Sequence, residues 1–598
     1  MSANIKASTD GTQAIIGVGG VDQMTVSNAG VVTANSFVGN FTGNLTGNAS
    51  SATALATGST TARTLADRFA DVANVLDFGA IGNGVADDTQ AIRDAITAAG
   101  TGNGTIVYLP KGNYLVSGPI QQPYDGVTIK GDGMRTTRIY RNSDWNDPIL
   151  GNNLFVFAAG TLIPEEGGVV NDIFRTGGGI SDLSIISNSK MLNRGSLIYC
   201  LNSKQIILEN IELYNGYIAI TCKGVTNSTI QNIYITADLA VMDDTRSGDT
   251  KAISLEFSRG TFKSNTIRFD KLFISSSYPP NSGAGYEVNL VASSIDGTWI
   301  SDSYFGGAAS KNLVIAPRVS AETSPAATLQ NRISGLKITS CWFDYSIGIS
   351  IENIGFTTTV RNIELIGCTF YLLNGFGENA IKVSTSLLYG LKIIGGRSSD
   401  ASRASISLIE GNNIIIDGFN VVSGNLYNWV SAGCIEVNST GLTNKVNGVI
   451  IQNCQLGTDG IGGTGLTAYG VVIGAGTKNY HVINNDLRGN AISGFVTNST
   501  SNVAENAIVS KNIGYRTENS GFVTFNPGET SKIINHRLDR TPLRSDINII
   551  QATADGAAMG VPWITSITST QFTINFATSP ASPTTVRWKV GDCTIIEI

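Results

Sequence analysis

The chain has 598 residues, of which 42% are hydrophobic and 14% charged, and a formal net charge of −6. This mildly acidic chain contains no basic block, which argues against a nucleic-acid partner. No apolar run reaches the ~18 residues of a membrane-spanning helix, so no membrane insertion is expected. The seven cysteines lack the spacing of a metal site, and we expect them to be small buried thiols. No metal and no cofactor are predicted.

Residues 1–65 form the first predicted segment, which is rich in Gly, Ser, Thr, Asn and Ala. The run from Ser36 to Asn48 repeats a Gly-Asn pair three times. One such chain cannot bury a core by itself, so the segment is either a flexible linker or a fibre in which several copies wind together. The run resembles stretches of bacteriophage tail-fibre proteins. That resemblance implies a trimeric stem that attaches the protein to phage baseplate or tail proteins.

Residues 66–133 carry the most specific local pattern. From Val75 to Ile92 the sequence is VLDFGAIGNGVADDTQAI, a glycine-rich turn followed by apolar residues at helical spacing. Asp87, Asp88 and Thr89 are N-cap candidates, which we favour over a role as catalytic acids. This order of turn, helix and strands resembles the opening of the pectate-lyase-like superfamily, and more closely that of bacteriophage tailspike proteins. The resemblance implies a cap on a right-handed β-helix.

A loose repeat predicts that residues 134–520 form a right-handed parallel β-helix, a solenoid whose coils, or rungs, share one core. Each rung has one repeat position, the residue that follows a turn-forming residue. The residues three before and two after this position are apolar and are expected to point inward. The residue just before it is Asn, Asp, Gly or Ser in eleven rungs, which favours left-handed turns; Lys271 is the exception. With a mean spacing of about 30 residues, the repeat positions are Leu183, Ile211, Ile233, Leu272, Ser303, Cys341, Cys368, Gly396, Phe419, Cys454, Asn485 and Ile513.

An outward column of aromatic residues is the predicted substrate-binding surface. Tyr234, Phe273, Tyr304 and Trp342 each follow a repeat position by one residue, on successive rungs. Neighbouring strands are ~4.8 Å apart, so the rings form a flat strip on which sugars can stack, and Arg268 lies close by. The alternative is that loops or a neighbouring subunit cover these rings.

Paired carboxylates are the predicted catalytic groups. Glycoside hydrolysis uses two carboxylates about 5 Å apart in retaining enzymes and about 6.5–9.5 Å apart in inverting enzymes. The first choice is Asp270 with Asp302 or with Glu209, which is two rungs away in the same column, because the aromatic strip and Arg268 adjoin them. Glu256 and Glu352 are also predicted to lie about two rungs apart. Asp270, Asp302 and Asp344 are expected to cluster along the edge of the strip, and the third strand of each rung adds the candidates Glu256, Glu287 and Glu352.

Residues 521–598 complete the chain with short predicted strands separated by Pro, Ser and Gly turns, a pattern typical of an antiparallel β-sandwich. Their order is similar to C-terminal modules of phage tailspikes, which implies trimerisation or contact with sugar. The whole chain is therefore expected to be all-β: a fibrous N-terminal stem, a right-handed parallel β-helix and a C-terminal antiparallel β-sandwich.

The resemblance implies a homotrimeric tailspike, made in the host cytoplasm and carried on the virion. At the bacterial cell surface it would bind and hydrolyse a polysaccharide, which is a capsule, an exopolysaccharide or an O-antigen. A non-enzymatic receptor-binding spike of the same fold is the alternative. A polysaccharide lyase, with Arg268 neutralising a uronate, is the third possibility. The first residues lack the charged start and apolar core of a signal peptide, which argues against a secreted cellular lyase.

Overall fold

The computed structural model divides into two compact units, Met1–Arg68 and Phe69–Ile598. The described residues are 3–7, 13–18, 21–27, 32–34, 53–54, 58, 60–102, 105–141, 143, 145, 147–159, 174–188, 195–237, 251–256, 264–276, 288–292, 295–308, 310–316, 333–352, 359–371, 379–424, 433–437, 446–457, 467–475, 477–490, 492–497, 507–551 and 558–591.

The first unit contains a four-stranded and a two-stranded antiparallel sheet. Its strands are Ala3–Ala7, Gln13–Val18, Val21–Ser27, Val32–Ala34, Thr53–Ala54 and Arg63–Thr64. The Gly-Asn run lies outside the described residues, so the trimeric stem stays a prediction. A short helix, Leu65–Phe69, ends the segment. Among the described helices, none has the length and apolar character needed to cross a bilayer.

A cap opens the second unit, made by a 3-10 turn, Val75–Phe78, and the helix Thr89–Thr101. Asp88 precedes the helix, but its carboxylate accepts two N–H groups of the glycine-rich turn, at 2.7 and 3.2 Å. Asp87 accepts the N–H of Thr89 at 3.0 Å. Asp88 thus binds the glycine-rich turn and makes no side-chain capping bond, whereas Asp87 accepts the first N–H of the helix, so the predicted turn and N-cap roles are divided between the two aspartates.

A long parallel sheet wound into a right-handed β-helix forms the body of the second unit, and the fold prediction is confirmed. Each rung has a first face before a corner, a second face after it and a third face further on. The strands described in this sheet are Val72–Asn74, Asn83–Asp87, Ile106–Leu109, Gly112–Val116, Ile120–Gln122, Thr128–Gly131, Thr137–Arg141, Phe155–Phe157, Arg175–Thr176, Gly179–Ser187, Ser196–Leu201, Ser203–Lys204, Ile207–Tyr214, Ile218–Lys223, Thr226–Ala237, Lys251–Glu256, Ser264–Ser276, Val288–Ala292, Ile295–Ser301, Tyr304–Gly306, Lys311–Ile315, Ile333–Thr339, Trp342–Asp344, Ile347–Glu352, Val360–Ile366, Thr369–Tyr371, Ile381–Ile394, Arg397–Ala401, Ile406–Asp417, Asn420–Gly424, Gly433–Val437, Val446–Gln452, Gln455–Leu456, Tyr469–Ile473, Thr477–Ile483, Ser493–Thr497 and Ile508–Ser510.

Left-handed residues at both ends of the first face make the corners. The predicted turn column has positive φ from Asp182 to Asn484, including Lys271 at 53°. A second left-handed column, which the sequence repeat did not reveal, lies five residues earlier. Each four-residue first face is therefore bracketed by two sharp bends, and its pairs of bracketing residues are Gly177 and Asp182, Gln205 and Asn210, Asn227 and Asn232, Thr266 and Lys271, Gly297 and Asp302, Gly335 and Ser340, Asn362 and Gly367, Gly390 and Gly395, Asn413 and Gly418, Gly448 and Asn453, and Asn479 and Asn484.

The core follows the predicted inward columns, which are buried along the whole helix. Phe343 stacks between Phe305 and Phe370, with ring centroids 5.1 and 5.0 Å apart and nearly parallel planes. The six described cysteines are buried free thiols. Burial raises the pKa of the Cys368 thiol to about 11, so these groups serve as small apolar fillers, as predicted.

The last rung differs from the predicted register by one residue. Asp486 pairs with Ile513, so the inward position opposite Asn485 is Asn512 and the left-handed residue is Lys511, with φ 56°. Asn512 accepts the N–H of Asn485 at 2.9 Å, and its amide donates to a backbone carbonyl at 2.8 Å. Polar side chains replace apolar ones where the core ends, and this loss of the apolar pattern explains the error.

Antiparallel strands replace the parallel sheet after Ser510 and build a β-sandwich with its own core around Phe525, Phe572 and Trp588. Two three-stranded sheets face each other, and a short 3-10 turn, Arg544–Asp546, connects them. The strands are Asn519–Phe525, Ser531–Asn535, Ile547–Gln551, Trp563–Thr565, Gln571–Asn575 and Thr584–Val590. The division of the chain at residues 65, 133 and 520 into units with separate roles stays a prediction.

Candidate functional site

Four aromatic residues form one outward column on the second face, at the predicted register. Tyr234 pairs with Phe273, Phe273 with Tyr304, and Tyr304 with Trp342. The ring centroids of the first pair are 5.8 Å apart, and those of Phe273 and Tyr304 are 4.9 Å apart with planes 14° from parallel. Two rings are 40% exposed and Trp342 is 39% exposed. Three of the four rings of this aromatic strip are therefore exposed within the described residues, and Tyr304 is partly buried.

A groove of about 540 Å³ runs along this strip. One wall is made by the four rings, and the other by side chains of the left-handed turn column. Polar groups from Lys271, Asp302 and Ser340 therefore face the flat apolar surfaces across the groove. Its lining residues are Asn232, Tyr234, Lys271, Leu272, Phe273, Asp302, Ser303, Tyr304, Ser340 and Trp342.

Tyr304 connects the strip to a buried carboxyl group. Its ring lies over Gly306, where an added Cβ would come within 2.4 Å of the phenol oxygen. The missing side chain lets the hydroxyl donate a hydrogen bond to Asp344 Oδ2, at 3.2 Å. Asp344 lies one rung on, opposite Gly306 in the sheet. The glycine thus determines that this tyrosine, and no other ring of the strip, reaches a carboxylate among the described residues.

Asp344 lies in an environment that favours the protonated form of its carboxyl. Its side chain is 9% exposed, and Oδ1 has no hydrogen-bond partner within the described residues. Burial raises the pKa of Asp344, and the hydrogen bonds from Tyr304 and from the backbone of Tyr345 only partly oppose that rise. Burial also raises the pKa of Tyr304, with the Asp344 carboxylate as the next cause. A raised carboxyl pKa is the direction that suits a general acid.

Glu209 and Asp270, the first-choice acids on the first face, each accept a hydrogen bond from a neighbour in their own column. Gln231 donates to Glu209 Oε1 at 2.7 Å, and Ser301 donates to Asp270 Oδ1 at 2.7 Å. The column places Gln231 between the two carboxylates, two rungs apart as predicted. Neither acid lines the groove. Their hydrogen bonds stabilise the stacking of rungs.

Asp302 lines the groove from the turn column. It is exposed, has a left-handed φ of 47°, and makes no side-chain hydrogen bond or ion pair in the described parts of the chain. Asp302 and Asp344 lie on opposite sides of the aromatic strip, two residues before Tyr304 and two residues after Trp342. The prediction that Asp270, Asp302 and Asp344 cluster along one edge is therefore wrong, because the corner and the strip separate them.

The third-face acids do not form the predicted pair. Glu256 and Glu352 are three rungs apart, not two, because the strands Val288–Ala292 and Lys311–Ile315 both lie between theirs. At ~4.8 Å per rung this is beyond the range for catalysis. Glu352 forms an ion pair with Lys311. Glu287 and the side chain of Glu256 lie outside the described residues.

Two features near the strip escaped the sequence patterns. Arg135, from a loop of the cap, donates two hydrogen bonds to Glu212 at 2.9 and 3.0 Å, at the end of the aromatic column. Trp299 is 43% exposed on the first face, in register with Arg268 and Lys337. Trp299 could have been found, because it stands in an outward column of the repeat. The Arg135 contact spans 77 residues and leaves no local signal.

Arg268, the predicted cation of the site, is exposed on the first face and does not line the groove. It lies two residues from Asp270 on the same face, as predicted. Within the described residues no three side chains of His, Cys, Asp or Glu come together as a metal site. The predicted site residues that line this groove are Tyr234, Phe273, Tyr304, Trp342 and Asp302.

Comparison with known families places similarity at the start of the second unit. A family model described as rhamnogalacturonase A/epimerase, pectate lyase-like, matches residues 72–159. Mannuronan C5-epimerase AlgE5 of Azotobacter vinelandii is 48% identical over 85 residues, which cover 13% of this chain and 8% of that protein. Alginate lyase 7 of the same organism is 43% identical over 84 residues, covering 13% of this chain and 10% of that protein. The chain thus spans about a tenth of the length of these relatives.

Comparison with solved structures extends over most of the chain. The tailspike protein of E. coli bacteriophage HK620, solved in complex with a pentasaccharide, superposes with a TM-score of 0.59 at 12% sequence identity. The match covers 91% of this chain and 97% of that one. At this identity the likeness concerns the fold. The start of the second unit is therefore similar to the pectate-lyase-like family, and the chain has a β-helical fold similar to that of a phage tailspike.

Proposed function

We propose that the protein is a phage tailspike that binds a bacterial surface polysaccharide in the aromatic groove and hydrolyses it. The observation that carries the binding is the strip of four rings, three of them about 40% exposed, facing a polar wall. Flat ring faces contact the C–H faces of sugars, and the polar wall can bind hydroxyls. A capsule, an exopolysaccharide or an O-antigen offers such a chain of sugars.

In this proposal the candidate carboxylates for hydrolysis are Asp302, which lines the groove, and Asp344, which lies behind Tyr304 and would have to reach the substrate from outside the groove lining. Burial raises the pKa of Asp344, the direction that suits a general acid toward the leaving oxygen, and the exposed Asp302 carboxylate is the candidate base or nucleophile. A sugar that lies on the ring of Tyr304 has one carboxyl group on either side. The Tyr304 hydroxyl holds Asp344 in position through its 3.2 Å hydrogen bond.

The wider role follows from the resemblance and from the likeness of fold. In this proposal the protein is a homotrimer carried on the virion, its N-terminal segment attaches to baseplate or tail proteins, and its groove acts at the bacterial surface. The fold likeness over 91% of the chain to a tailspike supports it. The C-terminal sandwich would trimerise the chain or contact sugar.

A receptor-binding spike without enzymatic activity is the second candidate. The observation that favours it is the engagement of Glu209 and Asp270 by Gln231 and Ser301, which leaves two of the predicted acids without access to the groove. In that case the aromatic strip binds the polysaccharide, and Asp344 acts only in packing.

Incubation of the purified full chain with bacterial capsular polysaccharide and lipopolysaccharide tests these alternatives. Chain length and absorbance of unsaturated uronates are followed with time. Shortened chains without new absorbance, abolished by Asp344→Asn and by Asp302→Asn, are the expected result. Shortened chains with new absorbance identify a lyase and overturn the hydrolase. Binding without shortening identifies the second candidate, and the absence of binding refutes both.

A further inference from the structure

Lys271 is the unusual residue in the turn column that lines the groove. Its backbone has φ 53°, in the left-handed region that favours Asn, Asp and Gly. The neighbouring rungs have Asn232 and Asp302 at the equivalent positions, both of the favoured type. Lysine is not favoured in this backbone conformation, so its presence is better explained by a role of its side chain.

Lys271 is exposed and lines the groove. No ion pair or hydrogen bond of this side chain occurs among the described residues. Asp302, on the next rung, has the opposite charge but does not come within ion-pair distance. Phe273 lies two residues further along, stacked on Tyr304 at 4.9 Å. A cation therefore stands beside the best-stacked pair of rings in the strip.

We infer that Lys271 binds a carboxylate on the saccharide, so that the substrate is an acidic polysaccharide. A ring seated on Phe273 places its substituents toward the turn column, where this ammonium can form a charge-assisted hydrogen bond. The Asp302 carboxylate one rung on disfavours a second anion there and accepts hydroxyl groups. The groove is thus matched to a polysaccharide with carboxylate-bearing sugars. This inference rests on the proposed polysaccharide binding and specifies its substrate class.

Lys511 provides a matched control. It is a second lysine in the left-handed turn column, with φ 56°, but it lies on the last described rung, outside the groove. Lys271→Asn and Lys511→Asn make the same chemical change in the same backbone conformation. Because asparagine suits this conformation better, both variants are expected to fold with unchanged or higher thermal stability.

The test is an array of purified bacterial capsular polysaccharides, exopolysaccharides and O-antigens, each printed in native form and after chemical reduction of carboxyl groups to alcohols. Wild type is expected to bind at least one native acidic glycan and to lose roughly tenfold or more in affinity on its reduced form. Lys271→Asn is expected to bind both forms with that lower affinity, and Lys511→Asn to behave as wild type. A smaller dependence of binding on salt concentration is expected for Lys271→Asn alone.

Three results would overturn the inference and leave the proposed function intact. Wild type would bind native and reduced glycans equally, or Lys271→Asn would keep the preference for the native form. Binding of no glycan at all would instead refute the proposed function. Equal weakening by Lys511→Asn would show a general charge effect and would also overturn the assignment to Lys271.

Discussion

Replacement of Asp344 by asparagine is expected to make the protein more stable and inactive. In the fold this carboxyl is buried, accepts one side-chain hydrogen bond from Tyr304 and leaves Oδ1 without a partner among the described residues. Asparagine keeps the acceptor for Tyr304 and removes the buried charge. Removal of an uncompensated buried charge from a site of this kind is expected to gain about 1–2 kcal/mol at pH 8. Over a unit of this size, that gain corresponds to a rise in Tm of roughly 1–2 °C.

The gain must depend on pH in one direction. Burial raises the pKa of Asp344 above that of an unfolded aspartate, so folding favours the protonated form. Below the unfolded pKa both states are protonated and the wild-type carboxyl carries no penalty. The stability of the wild-type protein therefore falls as pH rises through the folded pKa of Asp344, whereas that of Asp344→Asn does not. The variant should therefore exceed wild type at pH 8 and converge with it near pH 4.

Scanning calorimetry of both proteins at pH 4 and pH 8 measures this difference. Asp132→Asn is the matched control, because Asp132 also accepts a tyrosine hydroxyl, that of Tyr108 at 2.6 Å, but its second oxygen accepts the N–H of Lys111 at 2.8 Å. Because this exposed carboxylate has a hydrogen-bond partner on each oxygen, Asp132→Asn should lower the stability of the protein. The reasoning is refuted if Asp344→Asn is less stable than wild type at pH 8, or if its gain is the same at both pH values.

Three further predictions concern the strip, the core and the third face. Phe273→Ala should weaken polysaccharide binding by about 1–2 kcal/mol, roughly 5–30-fold, in a titration where Tyr389→Ala, a 41% exposed ring outside the groove, has no effect; equal losses would contradict the binding strip. Phe343→Ala removes a fully buried ring from between two others at 5.0 and 5.1 Å and should cost about 3–5 kcal/mol in urea unfolding, whereas a loss below about 1 kcal/mol would contradict a continuous core. Burial alone would raise the pKa of Glu352, but its bonds from Lys311 and Ser350 lower it, so its contribution to stability is present above the unfolded pKa and is lost as pH falls through the folded pKa. Lys311→Met should therefore destabilise by about 1–3 kcal/mol at pH 7 and much less near pH 3; a loss independent of pH would count against this ion pair.

The repeat made most of the fold readable from the sequence. In a β-helix each rung contacts only its neighbours, so an offset in sequence converts directly into a contact in space. The inward columns, the corner at Asn210 or Asn453 and the order of the aromatic strip follow from that rule. The prediction failed at the last rung, where Asn512 takes an inward position. There the core ends and polar residues no longer differ from those of the surface.

The sequence by itself determined the β-helix, the aromatic strip and the set of acids near it, because periodic burial and turn residues leave periodic patterns. Only the tertiary structure decided which of these acids is buried and which is held by a neighbouring side chain. Asp344 is buried because Gly306, on the preceding rung, lets the ring of Tyr304 lie across it. Asp270 is engaged because Ser301 happens to face it. The protonation and access of a carboxyl depend on side chains that reach it across rungs, and the repeat spacing carries no record of that reach.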